Sequence, residues 1–144
     1  KLFKDSRLHL NGAAVFSFTL KVVPKLIKDT LALADIHADD IDMVVMHQAN
    51  KFILEHLRKK AKIPEHKYLI DMQDFGNTSS ASVPLAICHK LSSYFEDNES
   101  KKVMLGGFGV GWSWGCIVTD MLPSVAPELI EIPDDFEPLS LEQV

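Results

Sequence analysis

Met43-Val44-Val45-Met46 is an unbroken apolar run lying between two stretches of helical periodicity, and no other feature constrains the fold as tightly. A strand with one wet face alternates apolar and polar residues, whereas a strand with no polar position is covered on both faces, as in a parallel sheet layered with helices. Before the run, Val22, Val23, Leu26, Ile27, Thr30, Leu31 and Ala34 recur at helical spacing; after it, Phe52, Ile53, Leu57 and Ala61 do the same. Asn50 is the expected cap of this second helix and Pro64 its expected end. Val15-Phe16-Ser17-Phe18 alternates and is rich in β-formers, so it reads as a strand leading into the first helix. Tyr68-Leu69-Ile70 reads as a short strand, and Thr78-Ser79-Ser80 as the start of a third helix reaching to about Phe95, with Pro84 tolerated near its first turn. Lys102 to Leu105 and Cys116 to Met121 form a closing pair of strands joined through a glycine-rich segment. The sum is an α/β layered domain of order β-α-β-α-β-α-β-β, built on a mixed five-stranded sheet.

Charge matters chiefly at the C-terminal end. The 144 residues carry 15 Lys and Arg against 20 Asp and Glu, a formal −5. Six of the acids and four prolines lie in 123–144, which has no Lys or Arg, and the other 122 residues come to +1. Residues 1–122 are read as the folded domain and 123–144 as an acidic, Pro-containing extension. The lack of a long basic run argues against nucleic acid as a partner. No apolar stretch approaches the roughly 20 residues of a membrane span and no signal peptide is evident, so a soluble cytoplasmic protein is expected. Cys88 and Cys116 have no metal-site spacing and are expected as buried thiols, and the six histidines lack paired ligand spacing, so neither metal nor cofactor is expected. The chain starts at Lys1 and enters a strand-like run almost at once, which suggests a piece of something longer.

In open α/β sheets ligands bind beyond the carboxyl ends of the strands, so the strand-to-helix junctions are the first places to look for chemistry. His47 follows the apolar run directly and precedes a helix; the positive end of the helix dipole keeps such a ring neutral, able to donate one hydrogen bond to a developing oxyanion, although a structural capping role fits the position equally. Asn77 lies at the next junction, where an αL turn residue or a cap is the plainer reading. Gly106 to Gly111 fails the GxGxxG test and leads into a strand, so it is a tight hairpin or a close backbone approach to a ligand. Lys51, Arg58, Lys59, Lys60 and Lys62 make the densest cationic patch, usually a solvated face. There is no GxSxG elbow, Walker loop or HExxH.

Three segments together resemble one family. Val45-Met46-His47-Gln48-Ala49-Asn50, then Phe75-Gly76-Asn77-Thr78-Ser79-Ser80-Ala81-Ser82-Val83-Pro84-Leu85-Ala86, then Gly107 to Gly115 are closely similar to the C-terminal half of β-ketoacyl-acyl carrier protein synthase III. Leu8-His9-Leu10-Asn11-Gly12 with Val15-Phe16 resembles the start of that half, and the likeness runs to Met121. The resemblance implies a thiolase-like fold of which this chain is the C-terminal half, packed against its own N-terminal half and paired into a homodimer. It implies an acyltransferase that moves an acyl group from a coenzyme A thioester onto a cysteine and condenses it with malonyl-acyl carrier protein, losing carbon dioxide, in fatty-acid initiation. By matching positions, His47 and Asn77 polarise the malonyl thioester carbonyl, the turn Gly109, Val110 and Gly111 holds the oxyanion of the acyl-cysteine step, and Lys51, Arg58, Lys59 and Lys60 face the acyl carrier protein.

The nucleophilic cysteine of that family lies in the other half, and neither Cys88 nor Cys116 matches it, so the isolated chain is expected to be inactive. Val110 stands where the family usually has glycine, and a residue that resists positive φ puts the acyl group in doubt. Phe52 replaces a common arginine beside the entrance. These departures leave room for a related condensing enzyme of polyketide-type secondary metabolism, or for a catalytically silent partner subunit, against which the presence of both His47 and Asn77 argues.

Overall fold

The computed structural model describes residues 11–92, 94, 99–122, 127 and 129–133. Helix α1 spans Gly12–Ala34, strand β1 Met43–Met46, helix α2 Lys51–Ala61, strand β2 Tyr68–Leu69, helix α3 Ser82–Lys90, strand β3 Lys101–Gly109 and strand β4 Ser113–Met121. The sheet order is β2-β1-β3-β4, with β1 parallel to both neighbours and β4 antiparallel to β3. The α/β layering matches expectation, but among the described residues the sheet has four strands, not five. The segment Leu8-His9-Leu10 and most of 123–144 fall outside the described residues, and α3, expected to reach Phe95, ends at Lys90 with Leu91 as its cap.

The apolar run behaves as its composition demands. All four β1 residues are buried. Val44 and Met46 enter one core with Val23 and Ile27 of α1 and Leu54 and Leu57 of α2; Met43 and Val45 enter a second core with Ala86 and Ile87 of α3. Side chains of a strand alternate between faces, so helices on both sides leave the strand no position for a polar residue.

Val15 to Phe18 is helical, correcting the expected strand. Thr19, Val23 and Ile27 are the buried positions of α1. Their spacing of four carries back to Val15, and a four-residue alternation is too short to compete with it. Asn11 caps the helix, its side chain accepting from the Ala14 N–H at 3.0 Å. Both long helices end on a left-handed residue that is not glycine. At the end of α1, Asp35 (φ 54) and Ile36 donate to Ala32 and Leu31; at the end of α2, Lys62 (φ 58) and Ile63 donate to Lys59 and Arg58. Helix α2 therefore stops before Pro64 is reached. Its buried face is Leu54 and Leu57, while Phe52 is exposed. Helix α3 begins two residues later than expected, after a single 3-10 turn, Ser79–Ala81.

Pro24 lies inside α1 and has no N–H to give the Leu20 carbonyl one turn back. Lys60 of α2 fills the vacancy, its Nζ donating to the Leu20 carbonyl at 2.8 Å. This bond joins the two helices where they cross the same face of the sheet, and it turns Lys60 toward α1. Lys60→Ala is expected to cost the full-length protein about 0.5–1.5 kcal/mol in urea unfolding. In a Pro24→Ala background, where a backbone N–H serves Leu20, the cost should be smaller; equal costs in both backgrounds would show that the bond does not compensate the proline.

Candidate active site

Because β1, β2 and β3 are parallel, their carboxyl ends share one edge of the sheet. His47 leaves β1 there and extends the pairing, its N–H donating to the Gly106 carbonyl at 2.7 Å. Asn77 comes from the segment after β2, and Gly109 and Val110 from the β3–β4 turn. All four line a single cavity of about 820 Å³, joined by Phe16 of α1 and Ser82 of α3.

The His47 ring is half-buried. Its Nδ1 lies 2.7 Å from Ser82 Oγ, and it meets the Phe108 ring edge-on at 5.6 Å. Burial pushes its pKa below the ordinary histidine value, and a contact with the Ser79 backbone opposes that only in part, so the ring is neutral near pH 7. The next residue, Gln48, is fully buried: its Nε2 donates to the Met46 carbonyl at 2.7 Å and more weakly to Leu69, and its Oε1 accepts from the Asp71 N–H at 2.8 Å. Asn50 caps α2, accepting from the N–H groups of Phe52 and Ile53 as expected.

Asn77 is not the αL residue of its turn, because Gly76 (φ 62) takes that conformation. Its Oδ1 accepts from the Ser79 N–H at 3.0 Å and its Nδ2 donates to the Ala49 carbonyl at 3.3 Å. The two bonds fix the orientation of the amide and leave its second N–H uncommitted. Ser79 itself has φ 56, a left-handed conformation seldom adopted by a residue with a side chain and one that gathers at functional sites.

At the β3–β4 turn the positive φ belongs to Gly111 (φ 139), where a Cβ would come within 2.6 Å of Ser113 Oγ. Val110 keeps an ordinary negative φ and presents an exposed side chain to the cavity. The conformational obstacle raised by the sequence is therefore carried by its neighbour. Trp112 and Trp114 pack on Phe18 of α1, with ring centroids 4.4 and 5.4 Å away, and so pin the turn to the helix. Phe16 stacks on Phe52 at 6.0 Å, placing an aromatic pair beside the cavity where Phe16 forms part of the wall.

The cations divide. Lys51, Arg58 and Lys59 line a separate cleft of about 960 Å³ together with Glu55, Glu65 and Asp71. Arg58 is half-buried and donates to the Ile63 carbonyl and to Glu65. Lys60 is directed to Leu20, so it does not belong to that cleft. Cys88 and Cys116 are free thiols, and burial pushes the Cys116 thiol up, the opposite of what activates a nucleophile. Asp71, Asp74 and His89 bring ligand-type atoms within 4.8 Å of one another, a grouping the histidine spacing did not suggest, but His89 Nδ1 is engaged by Asp71 Oδ2 at 2.8 Å. Among the described residues no helix is long and apolar enough to cross a membrane.

Ser82, Gln48 and Phe16 received no role from the sequence. Gln48 and Ser82 stand inside the two junction segments, but their roles depend on contacts between segments 34 residues apart, as in the Gln48 N–H bond to Ser82 Oγ. Phe16 was hidden by its assignment to a strand.

Residues 31–121 match the family model described as 3-oxoacyl-acyl carrier protein synthase III C terminal. A β-ketoacyl-acyl carrier protein synthase III from Lactococcus lactis subsp. cremoris (strain SK11) is 38% identical over 120 residues, covering 83% of this chain and 37% of its own length. A solved 3-oxoacyl-acyl carrier protein synthase from Burkholderia xenovorans LB400 superposes with a TM-score of 0.79 at 37% identity, over 83% of this chain and 34% of that one. The priming β-ketosynthase of the R1128 polyketide biosynthetic pathway gives 0.70 at 30% identity, over 79% and 34%. The chain thus spans little more than a third of the length of the relatives it matches.

Since the fold lowers the pKa of His47, unfolding lets the ring take up a proton at a pH where the folded protein does not. The stability this ring contributes is present in full above the ordinary histidine pKa of about 6.5 and is lost as pH falls below it toward the depressed folded value. His47→Gln is expected to flatten the acid limb of the stability curve of the full-length protein below about pH 6.5. An unchanged limb in denaturant titrations would mean that the ring protonates as easily folded as unfolded.

Proposed function

Since the chain belongs to the 3-oxoacyl-acyl carrier protein synthase III family and matches its C-terminal part, we propose that it forms the malonyl-side half of the active site of a condensing enzyme of fatty-acid initiation. The observation that carries this reading is that His47 and Asn77, from different junctions, line one cavity as neutral side chains, the amide retaining an N–H for a ligand. Decarboxylation of a malonyl thioester breaks the bond to the leaving carbon dioxide and moves its electron pair onto the thioester oxygen. Two fixed neutral donors stabilise that charge without a prior proton transfer. The enolate carbon then attacks an acyl thioester, expelling the cysteine thiolate that the other half of the protein supplies. Gly109 and Val110, which line the cavity, are the turn residues whose backbone N–H groups suit the second oxyanion, with Gly111 shaping the turn beside them.

The partners proposed are coenzyme A thioesters, an acyl carrier protein, the N-terminal half and a second copy in a cytoplasmic homodimer; no metal or cofactor is invoked. Exposed Ile117 on β4 and Leu122 just after it favour further chain packing along this edge strand. For carrier docking, Lys51, Arg58 and Lys59 suit an acidic partner, whereas Lys60 is turned away to the Leu20 carbonyl. A second reading, a condensing enzyme that primes polyketide synthesis, is favoured by Val110 at the cavity, by Phe52 stacked on the wall residue Phe16, and by the likeness to the R1128 priming enzyme.

In the full-length protein, His47→Ala and Asn77→Ala should each reduce condensation of acyl-CoA with malonyl-acyl carrier protein by about 100- to 1,000-fold. Activity retained in both variants would remove the assignment. Acyl-CoAs of graded length separate the two readings, a preference for acetyl favouring fatty-acid initiation. Lys51→Glu with Lys59→Glu should raise KM for the carrier protein and weaken its salt dependence.

A further inference from the structure

Ser82 is the first residue of α3 and is 2% exposed, with its Oγ aimed at the end of β1. Two groups converge on that oxygen: His47 Nδ1 at 2.7 Å and the Gln48 backbone N–H at 3.2 Å. The Gln48 N–H can only donate, and it cannot turn away, because the Gln48 side chain is bonded at both ends to backbone of β1 and of the chain after β2. One of the oxygen's two lone pairs is therefore occupied, and a hydroxyl this buried needs an acceptor for its own proton. Among the described residues Nδ1 is the acceptor within reach.

We infer that Ser82 is a positioning residue that sets the tautomer of His47: its hydroxyl donates to Nδ1, which keeps the ring proton on Nε2. This rests on the reading of His47 as a donor to the thioester oxygen. The consequence is chemical. A neutral imidazole carries one N–H and one lone pair, and the nitrogen not bonded to Ser82 is the one left for a ligand. With the proton on Nδ1 that nitrogen would face a developing oxyanion with a lone pair and repel it; with the proton on Nε2 it donates. Ser82 never touches the substrate, yet it decides which of the two the cavity offers, in the way that outer partners fix the tautomer of a metal-bound histidine. The competing arrangement puts the ring proton on Nδ1, with Ser82 Oγ accepting it through its second lone pair.

The test is the 15N spectrum of histidine-labelled full-length protein near neutral pH, with His47→Gln used to identify the His47 signals. The expected result is a pyrrole-type Nε2 and a pyridine-type Nδ1; the reverse pattern overturns the inference without any variant of Ser82 being needed. Ser82→Ala should shift the signals toward the Nδ1-protonated form and lower kcat by about tenfold with KM for malonyl-acyl carrier protein little changed. Ser82→Thr, which keeps the hydroxyl, should restore both. A folded Ser82→Ala protein with wild-type signals and wild-type kcat also overturns it. The spectra report Ser82 acting on the ring whether or not His47 works in turnover, so a failure here is distinct from retained activity in His47→Ala.

Discussion

The side chain of Gln48 lies fully buried where β1 and β2 end, and each of its polar atoms is bonded to backbone of one strand or the segment following the other. A buried amide left half-satisfied would cost a few kcal/mol; fully satisfied, it becomes a rigid tie between two parallel strands whose own pairing is only two residues long. The residues before and after it inherit that rigidity. His47 emerges from a fixed strand end, Ala49 presents the carbonyl that orients Asn77, and the Gln48 N–H reaches Ser82. One side chain thus sets the relative placement of the donors from two junctions.

Much of this was legible in the sequence because it was local. The continuous apolar run required helices on both faces, and the strand-to-helix junctions followed from the order of elements. What was not legible depended on competition between patterns or on contacts across the chain. Val15 to Phe18 looks like a strand in isolation, but tertiary burial at Thr19, Val23 and Ile27 extends the helix through it. The sequence pattern allows an αL residue or a cap at Asn77 and raises strain at Val110, whereas Gly76 and Gly111 take the unusual angles beside them. Lys60 was grouped with its basic neighbours, since nothing in a one-dimensional pattern says that Pro24 has orphaned a carbonyl 40 residues away.

The distribution of charge has a physical logic. Among the described residues the His47 and Asn77 cavity is walled by glycine, aliphatic, aromatic and hydroxyl groups and by no Asp, Glu, Lys or Arg, while Lys51, Arg58 and Lys59 with their acidic neighbours occupy a different cleft. Neutral donors in a poorly solvated site are well suited to a charge that exists only in the transition state, because they do not bind the ground-state anion strongly enough to trap it. A cation beside the thioester would also attract the malonyl carboxylate that must depart as a neutral molecule. The cationic cleft proposed for carrier docking is thus separate from the donor cavity, so its charge does not act directly on the proposed chemistry.

The two halves of the proposed reaction place different demands on this chain. The donor pair is positioned by Gln48, Ala49, Ser79 and Ser82, all within the chain, and its order follows from a closed set of hydrogen bonds. The Gly109 to Gly111 turn is instead pinned by aromatic packing of Trp112 and Trp114 on Phe18, and these tryptophans are about half exposed. Hydrogen-bonded networks fix direction, whereas aromatic packing fixes position but tolerates sliding. Under the proposed function, charge develops on the side held by hydrogen bonds, and the acyl group is met on the side held by aromatic packing at Val110.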